Sequence, residues 1–226
     1  MIIIFLWILM FILTFSLTLA CYRFFGKTGL YAWISLATVL ANLQVLKTIE
    51  LFGITLTLGN IMYGTTFFII VLLNEKYGVK AAKKAVYLGF FILLATTVIM
   101  QIILLFPPHP NDIAHAHLKA LFGLLPRLAV GSIVGYYASH MVNVSLYRFF
   151  QTRYPGEHHL WIRNTGSTSI SQLIDTLLFC LIAFWGLYPI EVWLEIVITT
   201  YVMKWLVVVL DNPFIYVAKK MKPLDD

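Results

Sequence analysis

Seven apolar runs fill most of the chain, at Ile2–Cys21, Leu30–Leu46, Leu58–Leu73, Ala85–Phe106, Leu125–Leu146, Ser167–Leu187 and Val192–Leu210. Each is close to the about 20 residues that a helix needs to cross the roughly 30 Å hydrocarbon core of a bilayer. Lipid offers backbone groups no hydrogen bonds, so single spans of this length must satisfy their own N–H and C=O groups as helices. The expected fold is therefore all-α, a polytopic transmembrane helical bundle. Composition agrees: 226 residues with 61% hydrophobic and only 12% charged side chains exceed what one soluble core of that size uses. Residues 1–226 read as a single integral membrane domain with no space for a separate soluble one.

The first run opens Met1-Ile2-Ile3-Ile4-Phe5-Leu6-Trp7 without a basic residue, and Thr18-Leu19-Ala20-Cys21 only faintly matches a lipoprotein cleavage box. It reads as a retained helix rather than a signal peptide. Cys21 then falls at a helix end and Cys180 deep in a span, so no disulfide is expected.

Twelve of the 16 Lys and Arg fall on alternate connections: Arg23 and Lys27; Lys76, Lys80, Lys83 and Lys84; Arg148, Arg153 and Arg163; Lys219, Lys220 and Lys222. The other connections hold only Lys47 and Lys119, while Arg127 and Lys204 lie within or at the rim of apolar runs. Basic residues collect on the cytoplasmic side of a membrane. The C-terminus is thus expected in the cytoplasm and the N-terminus outside, in the cell (inner) membrane. This placement also accounts for the net charge of +6 without a nucleic-acid partner.

Polar residues inside the runs are the candidates for function, because an ionisable group at membrane depth is costly. The densest set is on the sixth run. Thr168, Gln172 and Thr176 recur every four residues with Asp175 three after Gln172, which makes one polar stripe on an apolar helix. Asn42, Gln44, Asn60, Tyr63, Gln101, Arg127, Asn143 and Lys204 supply further polar groups at depth. With the aromatic side chains of Tyr63, Trp193, Tyr201 and Trp205, such a set suits a planar polar ligand that is stacked and hydrogen-bonded at its edges. Asp175 lies nine residues from Gly166 and Lys204 seven from Asp211, roughly 14 and 10 Å from one face, so the two charges are expected to pair. On the fifth run, Arg127, Gly131, Gly135, Ser139 and Asn143 share one row, and its glycines suit close helix packing.

Other chemistries find little support. Phe25-Gly26-Lys27-Thr28 ends like a phosphate-binding loop, but Cys21 stands where its first glycine belongs and no strand precedes it. His115 with His117 and His158 with His159 fall on opposite sides of the expected topology, so they cannot share an ion. No metal site or cofactor is expected. A membrane-embedded enzyme acting on a lipid or peptide, with Asp175 as acid or base, is the alternative class, although no serine-hydrolase elbow or zinc-protease helix is present. A structural subunit whose polar groups only join helices is a third.

The stretches Asn42 to Lys47, Leu58-Gly59-Asn60 and Asn74-Glu75-Lys76-Tyr77-Gly78, and above all Arg163-Asn164-Thr165-Gly166-Ser167-Thr168 followed by Ser171-Gln172 and Asp175-Thr176, carry a likeness. They resemble the queuosine precursor transporter family, also called vitamin uptake transporters, over about Leu30 to Lys220. The resemblance implies a six-helix transporter core, similar in outline to the substrate-binding subunits of energy-coupling-factor vitamin importers, with the first run as an additional N-terminal helix. It implies uptake of 7-deazaguanine-type queuosine precursors and no enzymatic activity. Asn42, Lys47, Glu75, Arg163, Gln172, Asp175 and Lys204 match the family's pattern and become binding or gating candidates. Asn74 stands where many relatives carry Asp. The choice of precursor, a coupling ion (proton or sodium) and a homo-oligomer are left open by the sequence.

Overall fold

The computed structural model describes residues 2–45, 47–51, 54–123, 126–186 and 189–224. Two helices are too long for one crossing: α1, Ile2–Gln44, has 43 residues and α2, Gly59–Leu105, has 47. At 1.5 Å per residue each would run about 65 to 70 Å, more than twice the hydrocarbon thickness. Each is broken by a glycine with positive φ, Gly26 at 51° and Gly78 at 79°, a conformation open to glycine and strained for most other residues.

The chain reverses at both. Cys21 Sγ donates to Gly29 O at 3.4 Å, although eight residues of straight helix would separate them by about 12 Å. Beyond Gly78, Tyr31 OH donates to Ala81 O at 3.3 Å, and a Cβ on Gly89 would touch Thr38, so 79–105 runs back beside 27–44. The remaining long helices are α4, Pro126–Arg153, α5, Leu160–Phe184, and α6, Ile190–Leu210, with a short helix α3, His115–Leu118, in the connection before α4.

Among the described residues, each expected apolar run lies in a helix over nearly its whole length, and several helices overshoot their run at one end of the bundle. Hydropathy marks where lipid ends, whereas a helix continues as long as its backbone bonds do. The first half of α2 is central, with Phe67 through Leu73 all fully buried; a helix apolar all round is stable only when surrounded. Side chains such as Leu13, Phe91, Ile99 and Ile198 remain exposed and apolar, as a lipid-facing surface requires. Together with four described helices long and apolar enough to cross a membrane, this makes the chain a multi-pass membrane protein.

Two features depart from the expectation. The connection after α1 is an antiparallel hairpin, β1, Thr48–Leu51, paired with β2, Ile54–Thr57, in register Thr48 with Thr57 and Leu51 with Ile54. Its Thr- and Ile-rich strands favour extended backbone; Phe52 and Gly53 between them lie outside the described residues. Second, the last crossing does not end at Leu210. After a break at Asp211 the chain continues as α7, Asn212–Lys220, where Pro213 occupies the first turn and needs no N–H partner. Phe214 packs on Phe11 and Phe15, and Phe15 on Phe68, while Lys76 Nζ donates to Met221 O at 2.6 Å. α7 thus carries the same crossing on towards the end that holds Lys76. Asp-Asn-Pro read as a stop in sequence because it interrupts the apolar run, but packing holds the chain on course.

α4 and α5 lie against each other at the glycine row. A Cβ on Gly131 would come within 3.3 Å of Phe179 O, and one on Gly135 within 3.2 Å of Asp175 O. The packing role expected of these glycines is what the structure shows. The end of the bundle where Arg23 reaches Lys222 O and Lys219 reaches Glu75 is the lysine- and arginine-rich one, called here the basic end.

Candidate functional site

The polar stripe of α5 is turned inward: Thr168, Gln172, Asp175 and Thr176 are all buried. Asp175 meets Lys204 of α6 at 2.5 Å through Oδ2, and its Oδ1 accepts from Tyr63 OH of α2 at 2.7 Å. The Lys204 ammonium also lies 5.1 Å from the centre of the Tyr63 ring, a cation–π distance. The pair expected from helix heights is therefore present. Counted from Leu160 and from Lys220, the two residues lie 15 and 16 positions into their helices, about 22 to 24 Å. Both sit deeper than the apolar runs suggested, and still level with each other.

One turn towards the basic end the balance changes. Gln172 is 1% exposed, yet neither its amide oxygen nor its nitrogen has a partner. Asn143 Nδ2 donates to Thr168 Oγ1 at 3.2 Å, which leaves its own Oδ1 unpaired. From α4, His140 Nε2 meets Thr66 Oγ1 at 3.1 Å. Thr66 gives its single hydroxyl proton to Tyr63 O at 2.7 Å, so His140 Nε2 is the donor, and Nδ1 of the neutral ring is left as an unpaired acceptor. The Tyr136 hydroxyl is buried and unpaired as well. Aromatic rings flank His140: its ring is 4.2 Å from Phe67 and 4.3 Å from Tyr136. Buried polar atoms are nearly always satisfied, and each exception costs about 1 to 3 kcal/mol. Amide, imidazole and phenol groups without protein partners, with aromatic rings against His140, have the chemistry to hydrogen-bond and stack a flat polar ligand.

A second cluster closes the basic end. Glu75 of α2, its side chain 6% exposed, accepts from Arg163 of α5 at 2.8 Å and from Lys219 of α7 through Oε1. Its Oε2 accepts from Tyr147 at 2.6 Å and Gln151 at 3.2 Å, both of α4. One carboxylate thus joins four helices.

Of the residues expected at a site, Tyr63, Asn143, Gln172, Asp175 and Lys204 belong to the first cluster, while Glu75 and Arg163 form the second. Asn42 donates to Thr38 O of its own helix at 2.8 Å, and Lys47 is exposed beside the hairpin. The Arg127 side chain lies outside the described residues. Trp193, named among the aromatic residues suited to stacking a ligand, donates to Cys180 O at 2.9 Å and ties α6 to α5. His140, Tyr136 and Phe67 were missed. The signal for His140 was its place one residue beyond Ser139 on α4, but a lone histidine in an apolar helix says little until its neighbours are known.

The family model described as "Putative vitamin uptake transporter" matches residues 57–218. The chain is 50% identical over 220 residues to the "Probable queuosine precursor transporter" of Bacillus subtilis (strain 168), covering 97% of this chain and 96% of that protein. No solved structure matches. Match length and identity along nearly the whole chain show that it belongs to the putative vitamin uptake transporter family.

Proposed function

We propose that the protein is a transporter, not an enzyme, that imports queuosine precursors: 7-deazaguanine-type bases such as 7-cyano- or 7-aminomethyl-7-deazaguanine, or queuine. The observation that carries this reading is Gln172, buried with both amide atoms unpaired on the same face of α5 as Thr168, which accepts from Asn143 Nδ2. A deazaguanine edge presents a donor and an acceptor side by side, which a carboxamide complements with two hydrogen bonds. The name of the Bacillus subtilis relative supports the same substrate class. Helical runs 27–44 through 190–220 are proposed as a six-helix transport core, with 2–25 packed on it through Phe15 and Phe68.

Gln172→Leu separates this reading from a structural one. It removes two unsatisfied buried groups, so the purified protein should gain stability, by about 1 to 3 kcal/mol, while uptake of labelled deazapurine into liposomes and queuosine in the transfer RNA of precursor-dependent cells are lost. A destabilised Gln172→Leu that still supports queuosine formation would make the amide structural and sink the assignment.

The basic end is proposed to be cytoplasmic, with the N-terminus outside, in the cell membrane. A cysteine placed at Asn111 should react with an impermeant reagent in intact cells and one at Lys83 should not. The opposite pattern reverses the orientation.

A further inference from the structure

The break between α6 and α7 holds an acidic group that the protein does not neutralise. Asp211 is 1% exposed and lies within the last crossing. Its Oδ1 accepts from Asn164 Nδ2 at 2.6 Å, but Oδ2 has no partner, and neither has Oδ1 of Asn164, itself fully buried. Both unpaired atoms are acceptors. Asp211 stands at the N-cap of α7, yet its side chain makes no capping hydrogen bond, so the usual structural reason for an Asp there is missing. Asn212 Oδ1 also accepts from Asn164 Nδ2, at 3.1 Å, and its own amide nitrogen is taken by Thr165 Oγ1 and Val209 O. What the cluster lacks is positive charge.

No side chain supplies it. Arg163 of α5 and Lys219 of α7 are bound to Glu75 of α2, Tyr147 of α4 donates to that same carboxylate, and Lys204 of α6 is bound to Asp175. α1 meets α7 with Phe11 and Phe15. Among the described residues no ion pair reaches Asp211. An isolated carboxylate at such burial is costly enough that it takes up a counter-charge.

We propose that Asp211 and Asn164 bind one monovalent cation, a proton or a sodium ion, at this helix break. A single cation on Asp211 Oδ2 and Asn164 Oδ1 satisfies both acceptors and cancels the charge. The position is two turns below Lys204 on the same crossing and next to Arg163. It therefore lies between the Gln172 and Asp175 cluster and the Glu75 cluster. Coupling of the cation to uptake rests on the transport reading; the cation site does not.

The test is thermal unfolding of the purified full-length protein in detergent, without any substrate. Sodium chloride is compared with choline chloride at alkaline pH, and acid with alkaline buffer in choline. If sodium is the cation, it should raise the wild-type Tm by about 3 to 5 °C at ten times its Kd and leave Asp211→Asn unmoved. A rise on acidification that is independent of sodium and absent in Asp211→Asn identifies the proton. Asn164→Ala keeps the carboxylate and should need about tenfold more cation for the same shift, which preserves the test if Asp211→Asn does not fold. A wild-type Tm indifferent to sodium and to pH overturns the proposal, as does a response that survives unchanged in both variants. Because no substrate is present, failure here leaves the uptake reading standing.

Discussion

Asp175→Asn is expected to destabilise the purified protein by about 3 to 5 kcal/mol and to abolish uptake. The reason is the partner left behind. Asp175 and Lys204 have side chains 4% and 8% exposed, so neither charge can return to water. Without the carboxylate, the ammonium keeps only the face of Tyr63 at 5.1 Å, which offsets part of the cost. Lys204→Met should cost a similar amount by stranding the carboxylate, although Tyr63 OH still donates to it.

The double substitution Asp175→Asn with Lys204→Met should recover most of the stability. Asn still accepts from Tyr63, and Met fills the space of the lysine stem without a charge. Thermal and denaturant unfolding of the four proteins gives the coupling energy, and strictly additive losses would show that the two charges act independently. Recovered stability without recovered uptake places the pair in the transport cycle. Recovery of both would make it a structural bridge.

Glu75→Gln should have the next largest effect, also about 3 to 5 kcal/mol, because it leaves two cations without their carboxylate. Arg163 is 3% exposed at its side chain and Lys219 21%, so the stranded arginine accounts for most of the loss. Lys219→Met alone should cost much less, since the carboxylate keeps Arg163, Tyr147 and Gln151. The loss in Glu75→Gln should also be local. Amide exchange in α7 and the first turn of α5 should accelerate, while the segment around Asp175 stays protected. Uniform acceleration along all helices would mean that Glu75 supports the whole bundle rather than closing its basic end.

The sequence made different parts of this arrangement legible to different degrees. Helical periodicity placed Thr168, Gln172, Asp175 and Thr176 on one face, and all four are buried. Counting residues placed Asp175 and Lys204 at one height, and they touch. The same counting misjudged their depth, because the break at Asp211 looked like the end of a helix whose last crossing runs to Lys220. Glu75 and Arg163 were singled out as separate candidates, but nothing in their spacing of 88 positions tied them together. His140 and Tyr136 were silent, since aromatic residues in an apolar run look like filler until an unpaired nitrogen or hydroxyl is found beside them.

By itself the sequence determined that the chain is a multi-pass helical membrane protein, which helix faces are polar, and the order of crossings. These follow from the length of apolar runs, the 3.6-residue period and the placement of lysine and arginine, all of which are local along the chain. Only the tertiary structure decided which polar faces meet. It set Gly135 against Asp175 so that α4 brings Ser139 and Asn143 to α5 and His140 to α2, and it kept α7 in line with α6 so that Asp211 is buried beside Asn164. Rotation about a helix axis and the choice of neighbour are settled by close packing between distant segments, a contest among side chains that no single stretch of sequence contains.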